Sequence, residues 1–391
     1  MTGGIKQESE NGVEVFSTQF KIMEAVGMWS TGPPTRRKEV ITKLKVGVSA
    51  FVLGVSTVAL LVKAVVTNDL VDRSEAMDIC TLTGSACYKL LFFYYYREEF
   101  QDFVSWDAAL VPHLPPKWTA HMNFFSILHC ATGLTCISAW SMCPLFKWAY
   151  KEIELKDMTL PMNVYDPFDS QGLLFAFFYL CGVYGLISST HIYMSCDAFF
   201  FSTAHVANGA YETLKTKFKS MGVGNENSLG DPMHDELKAC VKLHTHIITF
   251  IRKTDALFKS LFFVDVLHAI ISLSFSLLQA SESKGIFEKL KMITFVTYCF
   301  VHQYLNSYFG QRLIDQQESL ANTLVAYVPW NEGTLKMKKS FLIVTANAQK
   351  TFKLAAWKVY TLQYATFMEF VKTMIQFYMV LRQVQDESQT S

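Results

Sequence analysis

Hydrophobic residues in this chain are gathered into seven segments, each about as long as a helix that crosses a bilayer. A membrane-spanning helix needs roughly 20 apolar residues, and its backbone must satisfy its own hydrogen bonds within the hydrocarbon. Over the whole chain 51% of the residues are hydrophobic and only 18% are charged. The sequence therefore predicts an all-α membrane protein with seven transmembrane helices. The predicted spans are 44–66, 76–96, 122–146, 172–201, 257–280, 286–310 and 362–382.

Basic residues in the connecting segments predict how the helices are oriented. Seven spans place the two termini on opposite sides of the membrane. If the N-terminus is cytosolic, the interior segments hold 22 lysines and arginines and the exterior segments hold 6. Because cytosolic loops carry the excess of basic residues, the N-terminus is predicted inside and the C-terminus outside. This topology is inverted relative to a G-protein-coupled receptor, and the Asp-Arg-Tyr and Asn-Pro-x-x-Tyr motifs of that class are missing.

The connecting segments also divide the chain into regions. Residues 1–43 are predicted to form a cytosolic N-terminal segment, and 44–310 contain the first six helices. Within that range, 202–256 has helical periodicity and would extend the fourth and fifth spans into the cytosol. Residues 311–361 are interrupted by charged residues, proline and glycine, which predicts a cytosolic helical anchor for assembly or, alternatively, a cap on a monomer. Residues 362–391 comprise the seventh helix and an extracellular tail.

The seventh predicted helix carries polar side chains along one face, although it is apolar enough to span a membrane. Their spacing of three, four or seven residues places them on a single stripe of a 3.6-residue helix. Such a stripe is costly in hydrocarbon unless it lines water or contacts protein. The pattern therefore predicts either a pore-lining helix or a polar seam between packed helices. The stripe consists of Gln363, Thr366, Glu369, Lys372, Thr373, Gln376 and Gln383.

The composition weighs against several other classes of function. A net charge of +1 gives no electrostatic basis for binding nucleic acid. Most of the nine cysteines lie in apolar spans without metal-binding spacing, so we predict free thiols, no metal and no cofactor. A histidine-box membrane enzyme needs clustered ligands, but among ten histidines only His244 and His246 stand close together. A secondary transporter would show internal repeats and broken helices, and neither is found.

A distinctive series of residues runs through 303–384. It consists of Tyr304, Tyr308-Phe309-Gly310-Gln311-Arg312-Leu313, Glu318-Ser319-Leu320, Ala326-Tyr327, Trp330, Lys338-Lys339, Ala346, Gln349-Lys350, Thr366-Phe367, Phe377-Tyr378 and Leu381. This series resembles the insect odorant receptors. The region from Phe168 to Phe201, with Pro167 before the fourth span and Asp197 at its inner end, is similar to the same family. Length, spacing and inverted topology agree with it over the whole chain.

The resemblance implies one subunit of a tetrameric ligand-gated cation channel in the plasma membrane. Members of that family pair a variable odorant-tuning subunit with a shared coreceptor subunit in the dendritic membrane of olfactory neurons. This chain lacks the long insertion that the coreceptor carries between its fourth and fifth spans, so it is similar to the tuning subunit. Its expected partners are the coreceptor, a volatile odorant and membrane lipid. The cytosolic anchor at 311–361 would provide most of the contacts between subunits.

The same resemblance implies where the gate lies. Coreceptors end in an aromatic pair followed by Met-Val-Leu-x-Gln-Leu, and here Phe377 to Val384 stand in that place. Val380 and Val384 would form an apolar constriction that gates by dewetting, with Gln383 as a polar ring and Gln376 deeper in the pore. Arg382 departs from the pattern. Gustatory receptors of the same fold are the nearest alternative, but they end in Gln-Phe whereas this chain ends in Arg-Gln-Val-Gln.

A pocket for a small apolar ligand is expected in the exterior half of spans two to six. Such a pocket needs aromatic walls, small residues that make room and few polar groups. No strong ionic anchor is found in that shell, where Asp265 and His268 are the nearest candidates, so we expect a neutral odorant. Asp265 is expected to pair with a neighbouring helix or to line an ion conduit. The candidate residues are Met77, Cys80, Thr81, Gly84, Gly133, Cys136, Ser138, Trp140, Phe175, Phe178, Tyr179, Gly182, Ser272, Phe275, Phe295 and Tyr298.

Overall fold

The structure, a computed structural model, is almost entirely helical in the part of the chain that it describes. The described residues are 17–29, 35–107, 110, 117–151, 154, 158–162, 164–165, 172–221, 231–283 and 285–390. The helices are α1 (Ser17–Ala25), α2 (Arg36–Val66), α3 (Leu70–Tyr95), α4 (Arg97–Asp107), α5 (Lys117–Ala149), α6 (Gly172–Ser220), α7 (Asp231–Glu282), α8 (Ile286–Tyr327), α9 (Leu335–Ala348) and α10 (Tyr364–Thr390). An antiparallel pair, β1 (Ala355–Ala356) and β2 (Tyr360–Thr361), lies between α9 and α10.

Seven long helices coincide with the seven predicted spans. Four of them, α2, α5, α6 and α7, are long and apolar enough to cross a membrane by hydropathy alone. The other three, α3, α8 and α10, have no stretch of that hydropathy, and in α3 the charged residues Asp78 and Lys89 interrupt the apolar run. Membrane crossing by those three helices stays a prediction, as does the inverted topology.

The boundary between α2 and α3 shows how local sequence sets the helix ends. The carboxylate of Asp69 accepts a hydrogen bond from the backbone N–H of Asp72 at 2.9 Å and caps the first turn of α3. The guanidinium of Arg73 donates to the carbonyl of Thr67, the residue that ends α2, at 2.8 Å. The free backbone groups of both helix ends are thereby satisfied within a short turn, and α2 and α3 pack side by side.

The inner half of the bundle is built around a cluster of phenylalanines. Helix α6 runs without interruption from Gly172 to Ser220, so the fourth predicted span and its extension form one helix. Its Phe199 packs against Phe93 and Phe258 with ring centroids 6.3 and 5.9 Å apart, and Phe93 stacks on Phe100 at 4.1 Å. Each fully buried phenylalanine contributes roughly 1.5–3 kcal/mol through the hydrophobic effect. These ring contacts join α3, α4, α6 and α7 in one aromatic core.

Residues 311–361 form the inner end of α8, the helix α9 and the small β-hairpin. The side chain of Gln317 bonds to both backbone groups of Phe352, accepting from its N–H and donating to its carbonyl, each at 2.9 Å. The carboxylate of Asp255 on α7 accepts from the N–H of Ala355 at 3.0 Å. These contacts fix the hairpin on α7 and α8. The predicted helical anchor did not include this hairpin, because a short strand pair has too little hydrophobic periodicity to be seen.

The segment just before α10 passes very close to α8, where Leu362 meets Gly310. A Cβ atom at Gly310 would overlap the backbone carbonyl of Leu362, so glycine is required at this crossing. Helix α10 then starts at Tyr364 and continues to Thr390. The predicted span ended at 382, whereas the helix continues through most of the predicted tail.

Candidate ligand-binding site

A small cavity lies between α3, α5, α6 and α8. Its volume is about 20 Å³. A single water molecule needs roughly 10–15 Å³ of such space, so a larger ligand enters only if wall side chains move. The cavity is lined by Asp78, Ile79, Leu82, Cys136, Ile137, Trp140, Leu186, Thr190, Phe295 and Tyr298.

Trp140 is the largest side chain of the wall, and its ring is held on two sides. The ammonium of Lys291 lies 4.4 Å from the indole centroid, and that lysine also bonds to Glu75 at 2.7 Å. The ring of Phe295 contacts the indole in an edge-on arrangement, with centroids 5.8 Å apart. A cation over the face and an aromatic edge are both favourable geometries for an indole. The indole ring of Trp140 is therefore held in a fixed orientation in the cavity wall.

Four of the sixteen predicted pocket residues line this cavity. Cys136 and Trp140 come from α5, and Phe295 and Tyr298 come from α8. Gly133, one turn before Cys136, packs against Thr190 and Tyr298, so it supports the wall. The predicted residues of α5 and α8 therefore include four that line this cavity, and their role in ligand binding stays a prediction.

The remaining predicted residues on α5 and α6 lie elsewhere. Phe178 and Gly182 line a separate open groove of about 400 Å³ between α2 and α6. Tyr179 donates its hydroxyl proton to the carbonyl of Ser141 at 2.7 Å, and Phe175 packs on Tyr179. Ser138 is exposed and bonds to its own helix. These residues occupy helix faces that point away from the cavity.

The predicted residues on α3 and α7 mainly join those two helices to their neighbours. Thr81, Ser272 and His268 form a triangle of polar contacts, with distances of 3.1 to 3.2 Å. The thiol of Cys80 contacts the carbonyl of Thr57, and Gly84 also packs on Thr57. Met77 is half-buried against the same hydrophobic cluster as Trp140, and Phe275 is half-buried as well.

The cavity wall contains a carboxyl group that sequence reasoning missed. Asp78 is only 1% exposed, and its Oδ2 accepts a hydrogen bond from the hydroxyl of Ser276 at 2.8 Å. Its Oδ1 is buried without a hydrogen-bond partner among the described residues. The expectation that this shell holds no acidic anchor is therefore wrong. An acidic residue within a predicted span is itself a signal for function, but the search for aromatic walls passed over it.

Beneath the cavity lies a buried cluster of charged and polar side chains that joins α3, α5, α6, α7 and α8. The ammonium of Lys89 lies 2.5 Å from Asp265 and 4.0 Å from Asp197. His129 and His302 approach the other oxygen of Asp197 at 2.8 and 3.1 Å. We call these five residues the ionic cluster. The predicted pairing of Asp265 with a neighbouring helix takes this form, and its partner Lys89 was not foreseen.

Three members of the ionic cluster also have the geometry of a metal site. Ligand atoms of Asp197, Asp265 and His302 lie within 4.8 Å of one another. The ammonium of Lys89 sits beside both carboxylates and supplies the positive charge that they need. Buried carboxylates require such a partner, so the arrangement is explained by an internal ion pair.

Aromatic rings connect the ionic cluster to the cavity. Tyr298, a wall residue, stacks on His129 with centroids 5.4 Å apart and an interplanar angle of 16°. Lys89 lies over the ring of Tyr193 at 3.8 Å, and the hydroxyl of Tyr193 bonds to Ser85 at 2.5 Å. A displacement of Tyr298 by a ligand would therefore disturb the cluster directly.

The predicted gate residues lie on the outer face of α10. Val380 is 59% exposed and Val384 is 49% exposed on the single subunit, and Gln376 and Gln383 are exposed too. The opposite face of α10 is buried against α7 and α8 through residues that include Phe370 and Met374. The predicted gate residues thus share a face that its own bundle does not cover.

Comparison with known proteins adds three findings. A family model described as 7tm Odorant receptor matches residues 69–375. The odorant receptor coreceptors of Anopheles gambiae and Aedes aegypti are 23% and 24% identical to this chain over 180 and 181 residues. Each alignment covers 45% of this chain but only 37% of the coreceptor. The solved structure of the insect olfactory receptor OR5 from Machilis hrabei in complex with eugenol is 12% identical, with a TM-score of 0.76 over 97% of this chain and 98% of that one.

Proposed function

This chain belongs to the insect odorant receptor family, and we propose that it binds a small hydrophobic volatile in the cavity between α3, α5, α6 and α8. The observation that carries this proposal is a small, mainly apolar cavity that four helices line and in whose wall Trp140 is held by Lys291. This lining suits a ligand that is mostly apolar, and wall side chains must move to admit it. The family is one of receptors, which leaves the histidine-box enzyme without support.

The proposed response to the ligand is the opening of a non-selective cation pore. One face of α10 is not covered by its own bundle, and it carries both apolar and polar side chains. Polar side chains such as Gln376 and Gln383 are energetically costly in contact with lipid. Grouping α10 helices from several subunits would enclose that face around water. Val380 and Val384 would then form the constriction, and Gln383 the adjacent polar ring.

The proposed partner is the odorant coreceptor, in a heterotetramer at the plasma membrane. Two of the relatives are themselves coreceptors, which fits an assembly of related subunits. The anchor region exposes large apolar side chains that a soluble surface would avoid. Exposed apolar clusters of this kind mark sites of protein contact. They include Tyr327, Trp330, Leu335, Leu342, Ile343, Trp357 and Val359.

Whole-cell current tests the proposed function. Cells expressing this chain together with an insect coreceptor are exposed to a panel of neutral volatiles, and the same panel is applied to cells expressing each subunit alone. We expect an odorant-evoked cation current only when both subunits are present and the odorant is one this chain recognises. Current from this chain alone would contradict the tuning-subunit role. No current, with surface expression of both subunits established, would contradict the channel proposal.

A further inference from the structure

We propose that the cavity selects odorants with a hydroxyl group, alcohols or phenols, by bonding that hydroxyl between Asp78 and Trp140. This inference rests on the proposed function and names the chemical class of the ligand. The ligand hydroxyl donates its proton to Oδ1 of Asp78, and its oxygen accepts the indole N–H of Trp140. The remainder of the ligand is apolar.

The observation behind this inference is a group of buried polar atoms without partners that belong to one cavity. Oδ1 of Asp78, Nε1 of Trp140 and the hydroxyl of Tyr298 are each inaccessible to solvent and have no hydrogen-bond partner among the described residues. All three residues line the same cavity. Buried polar groups are nearly always hydrogen-bonded in folded proteins. Three unmatched groups around one small space therefore indicate a polar group that enters with the ligand.

The donor and acceptor capacities of these atoms restrict the class of that polar group. An indole N–H only donates, and Oδ1 of Asp78 only accepts when the carboxyl group is ionised or carries its proton on Oδ2. A hydroxyl group does both, so it satisfies Asp78 and Trp140 together. An ether, ester or aldehyde accepts only and leaves Asp78 unmatched. An ammonium group donates only and leaves the indole N–H unmatched.

Neighbouring side chains hold both protein groups in place. The Oδ2 of Asp78 is fixed by the hydroxyl of Ser276 at 2.8 Å, which leaves Oδ1 for the ligand. Trp140 is held by Lys291 over its face at 4.4 Å and by the edge of Phe295. Specific recognition needs polar groups whose orientation is set before the ligand arrives. Apart from Cys136, Thr190 and the hydroxyl of Tyr298, the rest of the wall consists of apolar side chains such as Ile79.

A matched odorant panel tests this inference. Each of three carbon frames, hexyl, 2-phenylethyl and geranyl, is supplied as the alcohol, the aldehyde, the methyl ether and the primary amine. The purified complex with the coreceptor is measured for thermal stabilisation, and cells expressing both subunits are measured for current. For at least one carbon frame, we expect the effective concentration of the alcohol to be about tenfold or more lower than that of its aldehyde, ether and amine. The reason is that each of these three analogues leaves a buried protein group without a hydrogen-bond partner.

Three variants separate hydrogen bonding from shape. Asp78→Asn keeps the size of the side chain but can present an N–H donor, so the preference should shift from the alcohol toward the aldehyde. Trp140→Phe removes the N–H and should weaken the alcohol and the aldehyde alike relative to wild type. Ile79→Val is the matched control, because it trims an apolar wall and should change the potency of all four analogues by the same factor.

The possible outcomes distinguish this inference from the proposed function. Equal potency of the four analogues in every frame, or an unchanged preference in Asp78→Asn, would overturn the inference even if currents are observed. Absence of stabilisation by every alcohol would overturn it as well. Selective stabilisation by an alcohol without current would support the inference and contradict the channel proposal.

Discussion

Replacing Lys89 by methionine should destabilise the protein strongly, because the lysine supplies the internal cation of the ionic cluster. Lys89 is fully buried, with its ammonium 2.5 Å from Asp265 and 4.0 Å from Asp197. At an effective dielectric constant of about 20, opposite charges attract by about 7 kcal/mol at the shorter distance and by about 4 kcal/mol at the longer one. Much of this attraction offsets the cost of removing the charges from water, so it is not a net stability.

The expected loss is therefore set by the carboxylates that remain. Removing one partner of a buried ion pair costs about 3–5 kcal/mol, since the other charge is left unmatched in the interior. Methionine has nearly the length of lysine, so little cavity volume is added. For a chain of this size, a shift of about 2 °C per kcal/mol gives a decrease of roughly 6–10 °C in melting temperature. The measurement is the amount of monodisperse complex that remains in detergent after heating to a series of temperatures.

Two further variants make the reasoning refutable. The double variant Lys89→Met with Asp265→Leu removes both charges of the short pair, and it should recover at least half of the lost stability. Lys43→Met breaks the exposed pair with Glu39, whose distance is 2.7 Å, and it should leave the melting temperature unchanged. A Lys89→Met protein that melts like the wild type would show that the cluster is not an essential ion pair. A double variant less stable than the single one would refute the charge argument.

Three other predictions concern the crossing, the cavity and the gate. Gly310→Ala should lower surface expression and melting temperature because its methyl group overlaps the carbonyl of Leu362, whereas Gly54→Ala, with open space around its Cβ, should change neither. Trp140→Ala should alter odorant potency about tenfold or more while co-precipitation with the coreceptor persists; unchanged dose–response curves would remove Trp140 from the site. Val380→Ser should leave the melting temperature unchanged, since this residue is exposed on its own subunit, but should raise the current without odorant; an unchanged resting current would contradict its place in the gate.

The helical framework is predictable because its determinants are local. A bilayer requires a similar length of every span, and the sequence contains apolar segments of that length with few prolines. The ends of α2 and α3 are similarly marked by Thr67 and Asp69, which have a direct role in satisfying backbone groups. The hairpin near Ala355 is different, because its strands contain only two residues each and depend on contacts with Asp255 and Gln317. Such contacts have no signature within the hairpin sequence.

The pocket was harder to predict because apolar periodicity is weak in a membrane helix. In water, a buried helix face is more apolar than an exposed one, but lipid removes that contrast. Trp140 faces the cavity, whereas Ser138 and Phe178, chosen on the same criteria, do not. Charge is the exception, because a buried charge needs a partner. Asp78 and Lys89 lie inside a predicted span, and that position is a signal for function that the sequence analysis passed over.

In the proposed channel, helix α8 would connect the ligand cavity to the pore helix. Its N-terminal third supplies Phe295 and Tyr298 to the cavity, His302 in its middle belongs to the ionic cluster, and Gly310 meets the segment that leads into α10. The 42-residue helix is continuous from Ile286 to Tyr327, so all three contacts lie on one helix. Position along a helix is not itself coupling, which requires two arrangements of different energy. The stacked pair of Tyr298 and His129 provides the point at which ligand contact and ion pairing compete, so the ionic cluster is the element whose balance a ligand would change.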